Sequence, residues 1–205
     1  MAGGASLGQT GPEEALSDMP GHHGHGAGPM PYTRARHLLH PLRGLILSPS
    51  ALRRNLALPR DAEVLEIGPG PGYYSVEIAR GIPEGTLWLL DIQPEMLAMA
   101  KERLEAKHIR SVRYVEGDAM RLPFAAGQFD AALLVAVLGE LPDAQAGLME
   151  LHRVLRPGGL LSVTEQLGDP DRRRPSEVRR LLGEAGFKIE GTSGGRRAWT
   201  VNARR

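Results

Sequence analysis

Between residues 61 and 205 the chain alternates short apolar runs with longer stretches whose apolar residues recur at helical spacing. The runs 63-EVLEI-67, 86-TLWLLD-91, 112-VRYV-115, 130-DAALLVA-136 and 160-LLSVTE-165 show little inside–outside alternation. Runs of this kind predict strands buried on both faces of a parallel sheet. Between them, 95-EMLAMAKERLEAKH-108 and 143-DAQAGLMELHRVL-155 predict helices. In the second, Leu148, Leu151 and Leu155 share a face, Asp143 is the expected N-cap, and Pro157-Gly158-Gly159 ends the element.

The last part of the chain follows a different rhythm. Ser176 is placed to cap a helix over 177-EVRRLLGEA-185, and Gly186 to end it. The segments 187-FKIEG-191 and 197-RAWTVNA-203 then predict two strands joined by a short glycine-containing turn, hence an antiparallel hairpin. The sum is an open α/β sheet of seven strands, mostly parallel, with helices on both faces and an antiparallel finish.

Ahead of this domain the pattern weakens. Residues 31–60 predict an arm of two short amphipathic helices broken at Pro41 and around Ser48–Pro49, with Leu52 and Leu56 on one face. The arm carries six arginines and no acid up to Arg60; such an arm can cover a site or touch an anionic surface, and the expectation is a helical flap packed on the domain with its arginines in water. Residues 1–30 are rich in Gly, Pro and small residues and are expected to be a flexible tail. Its 21-GHHGHG-26 could catch a transition metal, but no acid or cysteine completes a site, so no metal is expected.

Composition narrows the function. With 25 basic and 24 acidic residues the net charge is +1, which offers no global field for nucleic acid. There is no cysteine, so disulfides, thiolate metal sites and a cysteine nucleophile are excluded. No apolar stretch reaches bilayer length and no signal-peptide pattern opens the chain, so the expected location is the cytoplasm.

The candidate chemistry begins at 64-VLEIGPGPGYYS-75, where a strand runs into three alternating glycines. Glycines at such a place let the chain turn tightly and a ligand lie against bare backbone. The spacing of Gly68, Gly70 and Gly72 is too close for the dinucleotide G-x-G-x-x-G, and no Lys-Ser or Lys-Thr follows to make a phosphate loop. Glu66 just ahead of the loop would repel a pyrophosphate and suit a cation.

E-x-G-x-G-x-G after a first strand resembles motif I of the class I S-adenosylmethionine (SAM)-dependent methyltransferases, and four further stretches resemble that family in order. They are 87-LWLLDIQPEML-97, 116-EGDAMRLPF-124, 129-FDAALLVAVLGELPD-143 and 153-RVLRPGGLLSVTE-165. The resemblance covers about residues 61–203 and implies a Rossmann-like fold with SAM as cofactor. It implies that Glu66, Gly68, Gly70, Gly72 and Tyr73 form the donor loop, with Tyr73 opening the first domain helix. It implies that Asp91, followed by Ile92, holds the ribose hydroxyls, and that Gly117, Asp118 and Ala119 meet the adenine. Val135 would face the methyl group.

Where relatives often carry an aromatic or histidine pair, this chain has Gly139 and Glu140, and Glu140 is the candidate to orient an acceptor or take its proton. Tyr32, His37 and His40 of the arm are candidates to close over the site. The resemblance, nearest the quinone and small-molecule enzymes, implies methyl transfer to a small or lipid-like acceptor. An RNA or protein acceptor and a non-catalytic SAM-binding protein are the alternatives, and the arm could support a homodimer.

Overall fold

The computed structural model describes residues 31–32 and 43–205, and the tail over 1–30, with His37 and His40, lies outside them. The elements run α1 (Arg43–Ile46), α2 (Pro49–Leu56), β1 (Glu63–Ile67), α3 (Ser75–Gly81), β2 (Thr86–Asp91), α4 (Pro94–Glu105) and β3 (Val112–Glu116). They continue with β4 (Phe129–Val135), α5 (Ala144–Val154), β5 (Leu155–Gln166), α6 (Pro175–Glu184), β6 (Lys188–Gly194) and β7 (Ala198–Arg204). All seven strands join one sheet in the order β3-β2-β1-β4-β5-β7-β6. β1 to β5 pair in parallel, and β7 pairs antiparallel with both β5 and β6.

The unalternated strands are buried on both faces because each face has its own core. Leu65, Ile67, Leu134, Leu161 and Val163 point toward α5 and α6. Val64, Leu87, Leu89, Leu133 and Leu160 point toward α2, α3 and α4. The arm helix α2 belongs to this second core, with Leu52 fully buried and Leu56 nearly so. The amphipathic reading of Leu52 and Leu56 therefore corresponds to real packing, which ties the arm to the domain through α3.

Element boundaries differ from the sequence pattern where local chemistry intervenes. The first domain helix begins at Ser75 rather than Tyr73, because Gly70 and Gly72 at φ +52° and +75° keep the chain in turns through Tyr74. The last helix begins at Pro175 with Arg174 at the N-cap, and Ser176 is inside it rather than capping it. Proline's fixed φ suits the first helical position, which moves the start one residue earlier than the serine would. Pro157-Gly158-Gly159 does not separate α5 from β5. The chain passes straight into β5 at Leu155, and the β4–β5 register slips between Phe129 and Ala131, opposite Leu155 and Leu160. Asp143 does cap α5, its side chain accepting from the Ala146 N–H at 2.9 Å.

The strand order reverses between β1 and β4, the neighbours from which the sheet grows outward in both directions. In open α/β sheets the crevice beyond the carboxyl ends of such strands is the ligand site. The chemistry-bearing stretches converge there.

Candidate active site

A cavity of about 490 Å³ opens at this crevice, walled by the loops that follow β1, β2, β3, β4 and β5 and by Ile46 of α1. The glycine loop forms its floor. Gly68 sits at φ +60°, and its amide donates to the Leu90 carbonyl at 2.8 Å, which fastens the loop to the end of β2. A Cβ on Gly68 would stand 2.7 Å from Val137 Cγ2, so this glycine is required by close approach as well as by conformation. Gly70 lines the cavity beside it, while Gly72 does not reach the cavity. A Cβ there would meet Ala100 of α4 at 3.1 Å, so the third glycine seats the loop on α4.

Two carboxyls lie beneath this loop. Glu66 is 2% exposed and one of its oxygens is buried without a hydrogen-bond partner. Burial pushes its pKa up to about 7, moderated by the Ser75 hydroxyl, although that hydroxyl is not in hydrogen-bond geometry and is itself buried. Asp91, at the end of β2, is also raised above the ordinary carboxyl range by burial, against the lowering effect of backbone N–H groups of Gln93, Gly70 and Ile92. Its Oδ1 accepts from the Gln93 amide at 3.0 Å, leaving the carboxylate turned into the cavity wall.

Asp118 follows β3, accepts from the Met120 amide at 2.8 Å and lines the cavity with Gly117 and Ala119. Ile92 is 54% exposed at the same side, an apolar residue left open at the cavity rim. Tyr73 lines the wall, its ring edge-on to Tyr74 at 5.0 Å.

The opposite wall is formed by residues after β4 and β5. Val135, Ala136, Val137, Leu141, Pro142 and Leu167 give it an apolar surface. Ala136 adopts φ +57°, uncommon for a residue with a Cβ, and its amide is tied to the Thr164 carbonyl at 2.8 Å. Glu140 lines the cavity here from a turn. Tyr74 donates to Gln166 Oε1 at 3.0 Å, bridging the two walls. Asp169 is present as well, one of its oxygens buried and without a partner. Behind it Glu165 is fully buried, its pKa raised to about 8 by burial first and then by Asp169, against Arg173 and Arg172.

Gly139, next to Glu140, has no room for a side chain. A Cβ would fall 2.0 Å from the Asp171 carbonyl, because the segment after β5 folds across it. Gly139→Ala is expected to displace that segment and cost about 1–3 kcal/mol. A thermal melt reads this as a lowered midpoint, and an unchanged midpoint would contradict the close packing.

Residues 64–159 match the family described as a methyltransferase domain. Over this stretch the chain is similar to SAM-dependent methyltransferases. It is 36% identical over 102 residues to a demethylmenaquinone methyltransferase of Deinococcus radiodurans, covering 50% of this chain and 42% of that protein. The corresponding protein of Thermus thermophilus is also 36% identical over 102 residues, covering 50% of this chain and 46% of that one. The chain thus spans less than half the length of these curated relatives. A SAM-dependent methyltransferase from Aquifex aeolicus shares the fold with TM-score 0.81 at 21% identity, covering 86% of this chain and 99% of that one. CalH, solved with S-adenosylhomocysteine, superposes with TM-score 0.63 at 23% identity, over 76% of this chain and 54% of that one.

The residues present fit the methyltransferase cofactor on their own chemistry. A glycine floor whose would-be Cβ collides, an unpartnered buried carboxyl oxygen for a cation, and a carboxylate beside backbone donors are what an amino-acid sulfonium nucleoside needs. Ile46, Tyr74, Met96, Gln166 and Asp169 also line the cavity and were not singled out by motif. Only the position of Gln166 at the end of a predicted strand hinted at it. Of the arm candidates, Tyr32 is described; its amide donates to Gln93 Oε1 at 3.1 Å, beside a cavity residue, and its side chain is half exposed. Among the described residues no cluster of His, Cys, Asp and Glu is placed to hold a metal ion, and no helix is long and apolar enough to cross a membrane.

Proposed function

We propose that the chain transfers a methyl group from SAM to a small, apolar ring acceptor of the quinone type. The observation that carries the acceptor class is the apolar wall of Val137, Leu141, Pro142 and Leu167 with Ile46, facing the polar wall of Glu66, Asp91 and Asp118. The relatives named as demethylmenaquinone methyltransferases act on such a ring and support the same class.

When bound, the cofactor supplies an electrophilic methyl group, so the protein's work is to hold, align and dry the partners. Glu66 lies where the ammonium would be neutralised, and Asp91 offers two acceptor oxygens to a vicinal diol. Asp118 and the amides around it meet the base. The apolar wall excludes water and lays the acceptor's ring flat over Val135. Glu140 then accepts a proton from an acceptor hydroxyl as the nucleophilic atom gains electron density, with Asp169 the second carboxyl in reach of that end.

The test is transfer of label from radiolabelled SAM to a demethylated naphthoquinol, compared with RNA and protein acceptors. Labelling of the quinol alone supports the reading. Labelling of RNA or protein, or no labelling despite SAM binding by calorimetry, overturns it.

A further inference from the structure

A second cavity, about 480 Å³, lies on the far side of the segment after β5, between residues 172–175 and the turn of the β6–β7 hairpin. Four guanidinium groups line it, from Arg172, Arg173, Arg174 and Arg196, with the hydroxyls of Thr192 and Ser193, and no carboxylate does. Arg173 is held by Glu177. Arg172 reaches the carbonyl of Arg196 at 3.1 Å, so its partner there is neutral. Among the described residues neither Arg172, Arg174 nor Arg196 has a carboxylate within ion-pair distance. Elsewhere Arg60, Arg80, Arg156, Arg180 and Arg204 are each matched to an acid, and arginines without one, such as Arg110, Arg113 and Arg121, do not share a cavity with others as these do.

The cluster is also placed against local electrostatics. Arg174 occupies the N-cap of the ten-residue α6, where acids and hydroxyls are favoured and a cation is disfavoured. Arg172 and Arg173 are half-buried, with the Glu165 carboxyl acting on both, whereas Arg174 is exposed. The Nε of Arg173 is buried without a partner. Glycine 194 and 195 leave the opposite rim without side chains. A compact, doubly charged anion would meet paired N–H donors from several guanidiniums, the geometry in which arginine binds phosphate.

We propose that this cavity binds the phosphate or diphosphate group of a small molecule. The site is separate from the methyl-transfer cavity but shares a wall with it. Asp169 faces one cavity and Arg172 to Arg174 face the other, so an anion held here fixes the segment that closes over Gly139.

The test uses the full chain and inorganic pyrophosphate, read by calorimetry and by the fluorescence of Trp199, which lines the cavity. Binding in the submillimolar range is expected, weakened at least ~10-fold in Arg174→Gln/Arg196→Gln. An Arg110→Gln/Arg113→Gln control beside the opposite edge of the sheet is expected to bind as the parent does. S-adenosylhomocysteine affinity, unchanged in both variants, shows that they are folded. No binding at millimolar pyrophosphate, equal weakening in the control, or retention of a short RNA in place of pyrophosphate overturns the proposal. Competition by pyrophosphate against a turning-over acceptor would assign the anion to the acceptor itself; unchanged turnover KM would assign it to a separate phosphorylated molecule.

Discussion

Asp91→Ala is expected to weaken S-adenosylhomocysteine binding by about two orders of magnitude while leaving the fold intact. Two hydrogen bonds from a diol to an ionised carboxylate contribute about 1.5–3 kcal/mol each, and every 1.4 kcal/mol is about tenfold. The fold does not suffer correspondingly, because burial already holds the Asp91 carboxyl above its ordinary range and its removal relieves that cost. The Gln93 amide, which loses its acceptor, lies at the cavity and can be met by water. Asp91→Asn sharpens the test: the amide keeps the shape but puts a donor where the diol needs an acceptor. Calorimetry beside a thermal melt separates binding from stability. An unchanged dissociation constant in Asp91→Ala would remove the ribose role.

Glu66→Gln is expected to change how both stability and cofactor affinity respond to pH. The carboxyl has an ordinary pKa of 4.5 and is raised to about 7 in the folded protein. Between these values the folded state holds a proton that the unfolded state has released, so stability falls as pH rises through the window. Stability fully present below pH 4.5 is thus lost progressively up to about 7, a difference of about 3 kcal/mol. The unliganded protein should melt lower at pH 8 than at pH 5, and Glu66→Gln should remove part of that slope. Glu165, raised to about 8, and Asp91, raised by burial, contribute to the remainder, so adding Glu165→Gln should remove a further part of the slope.

Cofactor affinity runs the other way. A cation favours ionised Glu66, so binding below about pH 7 must expel a proton, and affinity for SAM rises with pH through that value. In Glu66→Gln the rise should vanish, leaving weak binding at every pH. A parallel rise in both proteins would place the titration elsewhere.

The parts of the fold that depend on near neighbours were readable from sequence. Continuous apolar runs mark strands covered on both faces, Asp143 marks a helix start, and the tight spacing of Gly68 and Gly70 marks a cradle. Gly72 resembles its neighbours in sequence but serves helix packing, because only the third dimension brings Ala100 against it. The insertion of β7 between β5 and β6 was not readable either, since a hairpin's local pattern leaves open which of its strands meets the sheet. Likewise Gly139 looked like a lost side chain. It is instead a position that the Asp171 carbonyl has closed, a contact between segments 32 residues apart in the chain. Asp169 and Leu167 lie in a stretch with no periodic pattern, and only folding carries them to the cavity.

The two walls of the methyl-transfer cavity come from separate stretches of chain, joined across the floor by the Tyr74–Gln166 bond. The polar wall comes from the loops over 66–74, 90–96 and 117–120, whereas the apolar wall is assembled from 135–142, 166–169 and Ile46. Such an arrangement leaves positions such as Leu141 and Leu167 open to change without touching the glycine loop, whereas Val137 packs against Gly68 and is constrained by it. Grafting those three segments between relatives should therefore move substrate choice as a unit, and the Tyr74–Gln166 pair is the joint that a successful graft must keep.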